Sequence, residues 1–558
     1  MAAPFAHGRI GAGKRTVGTV RAISPGERAV SRPGQLSRPG QLSRLRRLNL
    51  AARFASGLYR ERARIACAGY LGRDPMALLK LRPGRENPYA VYAQLRAVGP
   101  LLPTRQGAWA CTSYHGCDAV LRDRRFGRHP AEDRPGMSFL GMNPPDHTRL
   151  RRLALPAFTP RAVARYTARM ERTAGELLDA ATAAGRFDLV SGFAAPLPIV
   201  VITDLLGIPD SRAADFARYG RVIGGSLDGV KSVRHARQLL TARADLRRLF
   251  EHLFELRRRE PRDDIISQLV AAEGEQLEPH ELVPMCNLLL VAGFETTVNL
   301  ISNAVLALLG HPAQWRALCA DPDGLASKAV EEVLRWDPPV QRTSRIALEP
   351  VELEGQSISQ GQQVITLIGA ANRDPEAYPD PDTFDITRAE GPAHLAFASG
   401  IHYCLGHALA RAEAAVALRL LATRMPALTR SGPVRRRNTT IIRGPVHLPV
   451  NAPALPPGAG DAANARRRAA SAGTADRNSG GVHECRVNAE VTASRTGPAK
   501  ASGTSASTEP PNPPPIIRAP AAPAASAAST AASASGQDTS KSSRSDACAW
   551  VSSRPISP

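Results

Sequence analysis

Residues 394–413 read HLAFASGIHYCLGHALARAE, and this stretch decides the fold. It sets Phe397, Gly400, His402, Cys404 and Gly406 at the spacing F-x-x-G-x-H-x-C-x-G. The pattern predicts a glycine-bearing loop that presents one cysteine at the N-terminus of an amphipathic helix over 404–424. There the helix dipole and neighbouring backbone N–H groups favour a thiolate.

A lone thiolate held in this way suits axial ligation of a haem iron, where it pushes electron density towards O–O cleavage. Gly406 would let the backbone approach a flat macrocycle. Phe397 would shield the sulfur from water, and His402 can hydrogen-bond a carboxylate at the haem rim. Two other readings stand beside this one. A single Cys is often simply buried, and His402, Cys404 and His407 could hold zinc, although no fourth ligand lies at a suitable spacing.

Upstream, Ala292-Gly293-Phe294-Glu295-Thr296-Thr297 lies inside a long apolar helix expected over 280–309. Glycine in a helix interior costs about 1 kcal/mol relative to alanine. Close passage of Ala292 and Gly293 over a haem face would favour it. An acid followed by an alcohol in that groove offers a proton route: Thr296 donates to bound dioxygen and Glu295 links to solvent. Glu332 and Arg335, at i and i+3, form either a surface pair or an internal one. In Asn143-Pro-Pro-Asp-His147-Thr-Arg-Leu-Arg151, His147 and Arg151 share a helix face, and buried carboxylates need such partners.

Taken in order, these segments resemble the cytochrome P450 superfamily, most strongly its soluble bacterial members, from about Met76 to Pro453. The cysteine loop is similar to the haem signature F-G-x-G-x-H-x-C-x-G, with Ala398 where the family usually has Gly, a mild change. The 292–297 segment resembles [AG]-G-x-[DE]-T-[TS] at every position, Glu332–Arg335 the family's buried ion pair, and 143–151 its P-P-x-H-T-x-x-R helix. Arg345 matches the arginine before the family's small sheet. ANRDP at 371–375 and RGPVHLPV at 443–450 extend the likeness. The family usually adds an Arg in P-x-R-F; Thr383 stands in that place, so either the third member is missing or Arg388 or another residue substitutes for it.

The resemblance implies a mainly α fold with small β-sheets around haem b, with Cys404 on the iron and His147, Arg151, Arg345 and His402 on the propionates. It implies a monooxygenase that inserts one atom of O2 into a small organic substrate. Electrons would come from a ferredoxin and an NAD(P)H-dependent ferredoxin reductase, because nothing after Pro453 offers a nucleotide-binding pattern or a ferredoxin-type cysteine cluster. Docking is expected on the proximal surface near Arg411. Substrate would lie near Leu289, Val291, Ala292 and Thr296, lined or gated by 127–142, 211–245, 338–343 and 439–445. These segments are largely apolar or small, which favours a hydrophobic substrate. A haem-thiolate protein performing dehydration or isomerisation is the alternative, disfavoured by the acid–alcohol pair.

Around this core the sequence changes character. The 558 residues carry 72 Lys+Arg against 50 Asp+Glu, a net +22 that invites a nucleic-acid reading. The excess is concentrated in residues 1–75, at net +12, while 76–453 carries only +6. With no recognisable binding module either, nucleic-acid binding is disfavoured. Residues 1–75 read as a basic arm, disordered through the duplicate SRPGQL at 31–42 and then an amphipathic helix over 45–71. GRIGAGKRT at 8–16 mimics a phosphate loop, but Arg15 replaces the Ser/Thr that would bind Mg²⁺. Residues 454–558 read as a disordered Ala/Pro/Ser-rich tail. The eight Cys form no paired framework, no signal-like apolar segment opens the chain, and no uninterrupted apolar run of about 20 residues suggests a membrane span. A cytoplasmic, reduced protein is expected.

Overall fold

The structure, a computed structural model, describes residues 44–128, 138–209, 212–389 and 391–453. The phosphate-loop mimic, the SRPGQL duplicate, the 454–558 tail and residues 129–137 of the expected pocket lining fall outside the described residues. The chain divides into two compact units, Met1–Ser56 with Pro555–Pro558, and Gly57–Arg554. Of the first, only the start of α1 (Arg44–Ala66) is described; a π-turn over Cys67–Leu71 continues that helix in the second.

Helix starts in the second unit follow side-chain chemistry. Asp74 caps α2 (Pro75–Lys80) through the backbone N–H groups of Met76 and Ala77, and α3 (Arg82–Glu86) and α4 (Pro88–Val98) follow. Ser113 caps α5 (Tyr114–Arg122). After α6 (Asp146–Ala154), Thr159 caps α7 (Pro160–Ala184), which Gly185 ends at φ +66°. Then come α8 (Pro196–Leu206), α9 (Ala213–Gly224), α10 (Val233–Arg259), capped by Ser232, and α11 (Ile265–Ala271), capped by Asp264. Proline at the first helical position recurs because its missing N–H is an orphan there anyway.

Helix α12 (Pro279–Gly310) opens with a capping box in which Glu278 and Glu281 satisfy each other's backbone N–H groups. Arg149 clamps Glu281 at 2.8 and 2.9 Å. This helix is apolar on nearly every side because it is the core: α8, α9, α14 (Pro322–Trp336) and α16 (His407–Arg424) pack around it, with α13 (Pro312–Ala320) nearer the surface, while the short α15 (Ile368–Ala371) is buried against α4 and α5. Despite the polar interruptions in its sequence, α12 is long and apolar enough to cross a membrane, the one such helix among the described residues. Of its apolar window, 83% is buried inside the protein.

The largest sheet has the order β1-β2-β8-β5-β3, from Leu101–Pro103, Trp109–Cys111, Gln363–Thr366, Thr343–Ala347 and Phe126–Gly127. Only β2 and β8 run parallel. Smaller sheets join β6 (Val351–Leu353) to β7 (Gln356–Ile358), β10 (Arg435–Arg436) to β11 (Pro445–His447), and β12 (Pro449–Asn451) to β4 (Arg186–Asp188) and β9 (Thr429–Arg430). The fold is mainly α with small β-sheets, as expected. Between β11 and β12 the chain is interrupted at Leu448, whose N–H turns to the Asp188 carboxylate at 2.8 Å. Helices α12 and α16 fall within a few residues of their expected limits. Helix α8 escaped the helical pattern because PLPIVVITDLL is apolar on all sides and shows no amphipathic period.

Candidate active site

The cysteine loop runs through two 3₁₀ turns, Leu395–Phe397 and Gly400–His402, before reaching Cys404. Gly400 is required twice over, by φ +65° and by the Leu121 carbonyl, which would lie 2.3 Å from any Cβ. Ala398 holds φ +60° and ψ −159°, a region essentially reserved for glycine, so its replacement of the usual Gly stores strain rather than being mild. The loop is braced from below: the Leu395 N–H donates to Asn372 Oδ1 at 2.8 Å, and the Cys404 N–H donates to the Phe397 carbonyl at 2.9 Å.

Cys404 precedes helix α16, which begins at His407 with Gly406 as its cap, rather than opening it. Burial raises the Cys404 thiol pKa; the Gly406 N–H, Arg151 and Arg411 only partly offset this. A free thiolate is therefore not favoured by the protein alone, contrary to the dipole argument, and deprotonation would need a metal. A Cβ at Gly406 would meet Phe158 at 3.6 Å, an ordinary contact, so packing within the protein does not demand glycine there. Phe397 is buried beside the loop with the Arg411 guanidinium 4.5 Å from its ring centre. Arg411 is held by Glu331 at 2.6 Å, and His394 reaches the same carboxylate at 3.1 Å.

His147, on α6, meets His402 with ring centres 4.4 Å apart. Arg151, one turn further along α6, donates to the Tyr403 carbonyl at 2.7 Å, next to the cysteine. Arg345, on β5, is buried; burial first, and then the Arg128 charge, lower its pKa to about 9. Burial together with Arg151, Arg128 and Arg345 lowers His147 to about 4. His402 is lowered to about 2 by burial and by Arg345, Arg128, His147 and Arg151. Both nitrogens of His147 and Nε2 of His402 are buried without a protein hydrogen-bond partner. Crowded cations and orphaned buried donors of this kind call for acceptor groups carrying negative charge. Arg128, which sequence reasoning missed, joins the cluster from the end of β3; no motif marks it.

On α12 the predicted residues separate. Thr296 donates from Oγ1 to the Ala292 carbonyl at 2.8 Å, and these two share the open face of the helix. Gly293 points elsewhere: a Cβ there would meet Ile202 Cδ1 of α8 at 2.5 Å, so helix packing requires this glycine, not a haem face. Glu295 is not linked to solvent. It is buried, with Oε2 2.8 Å from Arg437 and Oε1 unpartnered, and its pKa is raised by burial despite Arg437 and Arg221. Leu289 and Val291, expected along the groove, are buried in the core.

Below the loop, Glu332 and Arg335 form an internal bidentate pair at 2.8 Å, not a surface one. Arg335 also donates to the Pro381 and Thr383 carbonyls at 2.7 and 3.0 Å. Arg388 supplies the third member, 3.4 Å from Glu332, and donates to the Thr383 carbonyl at 2.7 Å. No group of His, Cys, Asp and Glu suited to a protein-built metal site occurs among the described residues, so the zinc reading finds no support.

The family model described as Cytochrome P450 matches residues 324–424, from the ion-pair helix through the cysteine helix. The chain is 39% identical over 358 residues to the biotin biosynthesis cytochrome P450 of Bacillus subtilis, covering 62% of this chain and 90% of that protein. The chain belongs to the cytochrome P450 family. This P450 is also 38% identical over 391 residues to 6-deoxyerythronolide B hydroxylase of Saccharopolyspora erythraea, covering 65% of this chain and 95% of the hydroxylase. A crystal structure of P450BioI with acyl carrier protein carrying hexadec-9Z-enoic acid superposes with TM-score 0.63 at 38% identity, over 66% of this chain and 99% of that one.

The protein is therefore a P450 oxygenase, and the family's haem-thiolate group fits the residues present. A sulfur set in a braced loop lies beside buried arginines and beside imidazole nitrogens of His147 and His402 that have no hydrogen-bond partner among the described residues.

Proposed function

We propose that this P450 is a haem b monooxygenase with Cys404 as its iron ligand and residues 76–453 as its haem domain. The observation that carries the assignment is the His147–His402 contact amid Arg128, Arg151 and Arg345, buried nitrogens without partners next to the cysteine. When bound, the haem supplies activation of O2 and transfer of one oxygen atom to the substrate.

The chain's own residues hold, shield and supply protons. Arg151 and Arg345 would neutralise the propionates by charge, while His147 and His402, held neutral by burial and the nearby arginines, would donate hydrogen bonds to them. Phe397, fixed under Arg411, excludes water from the sulfur. On the opposite side Ala292, with no side chain beyond Cβ, leaves room above the macrocycle. The Thr296 hydroxyl, with its proton on the Ala292 carbonyl, has lone pairs free to accept and can rotate to donate at that position. Burial raises the pKa of Glu295 while Arg437 opposes that shift, so the carboxyl, one residue before Thr296, would take up a proton more readily when the Arg437 contact loosens and give it up more readily when the contact re-forms.

Electrons would come from a ferredoxin and its NAD(P)H-dependent reductase, docking on the Arg411 side of the cysteine, in the cytoplasm. The substrate is a small, mainly hydrophobic molecule; P450BioI, with its hexadec-9Z-enoyl carrier, supports that class. The deciding test is the absorption spectrum of the reduced, CO-bound protein beside Cys404→Ser. The wild type should show the strongly red-shifted band of thiolate ligation and the variant should lose it. A wild type without that band refutes the reading.

A further inference from the structure

The unit that starts at Gly57 opens with the second half of α1 and the π-turn that follows it. Two contacts fix this segment against the rest of the unit. Arg62 donates from Nη1 to the Lys231 carbonyl, in the loop between α9 and α10, at 3.1 Å. Gly69 is buried so closely that a Cβ there would meet Leu81 Cδ1 at 2.4 Å. Leu58 and Ile65, both half-buried, form the inner side of the helix.

The outer side has a different composition. Tyr59, Arg60, Ala63 and Arg64 are exposed, and their i, i+1, i+4 and i+5 spacing puts them on one side of the helix. The turn beyond adds Tyr70 and Leu71. Tyr59 is 55% exposed, Tyr70 56% and Leu71 83%, so three large side chains with apolar bodies stand in water within thirteen residues, 59–71.

They stand among cations. Glu61 approaches Arg64 only at 4.0 Å with both side chains well exposed, a pair too wet to cancel much charge. Arg105 joins from the β1–β2 connection, since a Cβ at Gly72 would lie 3.3 Å from its Nη1; Asp74 lies 3.6 Å from the same guanidinium. Residues 57–74 with Arg105 thus hold five arginines (60, 62, 64, 73 and 105) against two carboxylates (61 and 74).

Exposed apolar groups and surplus positive charge on one segment call for a partner that offers both hydrocarbon and anions. An anionic bilayer surface offers them within one side chain's length. Tyrosine rings and leucine settle at the boundary of head groups and acyl chains, while arginine stems lie along apolar surface and their guanidinium groups reach the phosphates. A nucleic acid would engage the arginines and leave Leu71 in water.

We propose that the outer side of α1 over 57–66 and the Cys67–Leu71 turn dock this protein on an anionic lipid surface. Tyr59, Tyr70 and Leu71 enter at head-group level, and Arg60, Arg64 and Arg105 meet lipid phosphates. The contact is peripheral and reversible, and it stands apart from the haem chemistry, so either can fail without the other.

The test is co-sedimentation of the full-length holoprotein with vesicles of phosphatidylcholine alone, and of phosphatidylcholine with about one third phosphatidylglycerol. At low salt, partition onto the anionic vesicles should exceed that onto the neutral ones at least about tenfold, and added salt should reduce it. Tyr59→Ser/Tyr70→Ser/Leu71→Ser keeps every charge and should still weaken anionic-vesicle binding at least about fivefold. Arg60→Gln/Arg64→Gln should weaken it to a similar degree. All five side chains are exposed, so the CO-bound spectrum and the unfolding midpoint should stay unchanged. In the wild type, the exposed thiol of Cys67 in the same turn should react with a maleimide more slowly once anionic vesicles are bound, read by peptide mass spectrometry. Equal partition onto both vesicle types, an apolar variant that binds like the wild type, or an unprotected Cys67 overturns the proposal. A short DNA duplex bound more tightly than the anionic vesicles, by wild type and apolar variant alike, overturns it in favour of nucleic acid.

Discussion

Arg388 lies 3.4 Å from Glu332 and donates to the Thr383 carbonyl at 2.7 Å, adding a second arginine to the buried Glu332–Arg335 pair. Its guanidinium also binds the carbonyls of Pro379 and Asp380, so one side chain ties the 379–388 loop to the ion-pair helix. Because Glu332 is buried, losing a cationic partner leaves part of its charge uncompensated. Arg388→Ala should destabilise the protein by about 1–2 kcal/mol, against about 3–5 kcal/mol for Arg335→Ala, whose guanidinium is fully internal. Thermal unfolding of both variants, with Glu332→Gln to close a double-mutant cycle, measures the coupling. Additivity of Arg388→Ala and Glu332→Gln would show that the pair does not interact.

Ala398 sits at φ +60° with ψ −159°, where its Cβ is strained. Ala398→Gly removes strain of about 1–3 kcal/mol but adds unfolded-state entropy worth about 0.5–1 kcal/mol. The net expectation is a stabilisation of about 1 kcal/mol, read as a rise in unfolding midpoint with the CO-bound spectrum unchanged. A drop in stability would show that the loop relaxes around alanine.

Gly293 and Ile202 offer a clean separation of packing from cofactor contact. Gly293→Ala drives a Cβ into Ile202 Cδ1 and should cost about 1–3 kcal/mol. Trimming the opposing side chain in Gly293→Ala/Ile202→Val should recover part of that loss. No recovery in chemical unfolding would mean that the glycine is needed by something other than α8.

Thr296 donates to the Ala292 carbonyl and stands on the open face of α12. Thr296→Ala removes the only hydroxyl of this pair, so electrons supplied to the protein should increasingly appear as reduced oxygen species rather than product. The ratio of product formed to electrons consumed reads the effect. An unchanged ratio would remove Thr296 from proton delivery.

Glu331 carries a pH dependence whose sign follows from its partners. Burial alone would raise its pKa, but the hydrogen bonds from His394 and Arg411 outweigh that and hold it at about 2. A folded-state value below the unfolded one contributes stability that is present above about pH 4.5 and lost as pH falls towards 2. Glu331→Gln should therefore flatten the acid limb of stability over that window and leave it little changed in slope near neutrality. Parallel acid limbs in urea unfolding at several pH values would rule the linkage out.

Several features were legible in sequence because they are local. The turn glycine at 400, the cysteine at 404 and the amphipathic run behind them lie within a few residues of one another. So do the i, i+4 relation of His147 to Arg151 and the Glu332–Arg335 spacing. Helix α7 and helix α10 show their polar and apolar faces in the same way, whereas α8 is apolar throughout and hides its period.

What the chain alone determined, then, is the family motif, the mainly helical class and the set of candidate residues proposed to hold a haem. Tertiary structure decided where each of them points. Gly293 turned to Ile202, Glu295 to Arg437, Arg388 to Glu332 and Arg128 towards Arg345, each partner lying more than 50 residues away in sequence. Such pairings depend on how packed elements bring distant segments together, and on burial, which raised the Cys404 pKa where the local dipole argument favoured a thiolate. Periodicity along one helix carries no information about the neighbour that covers it.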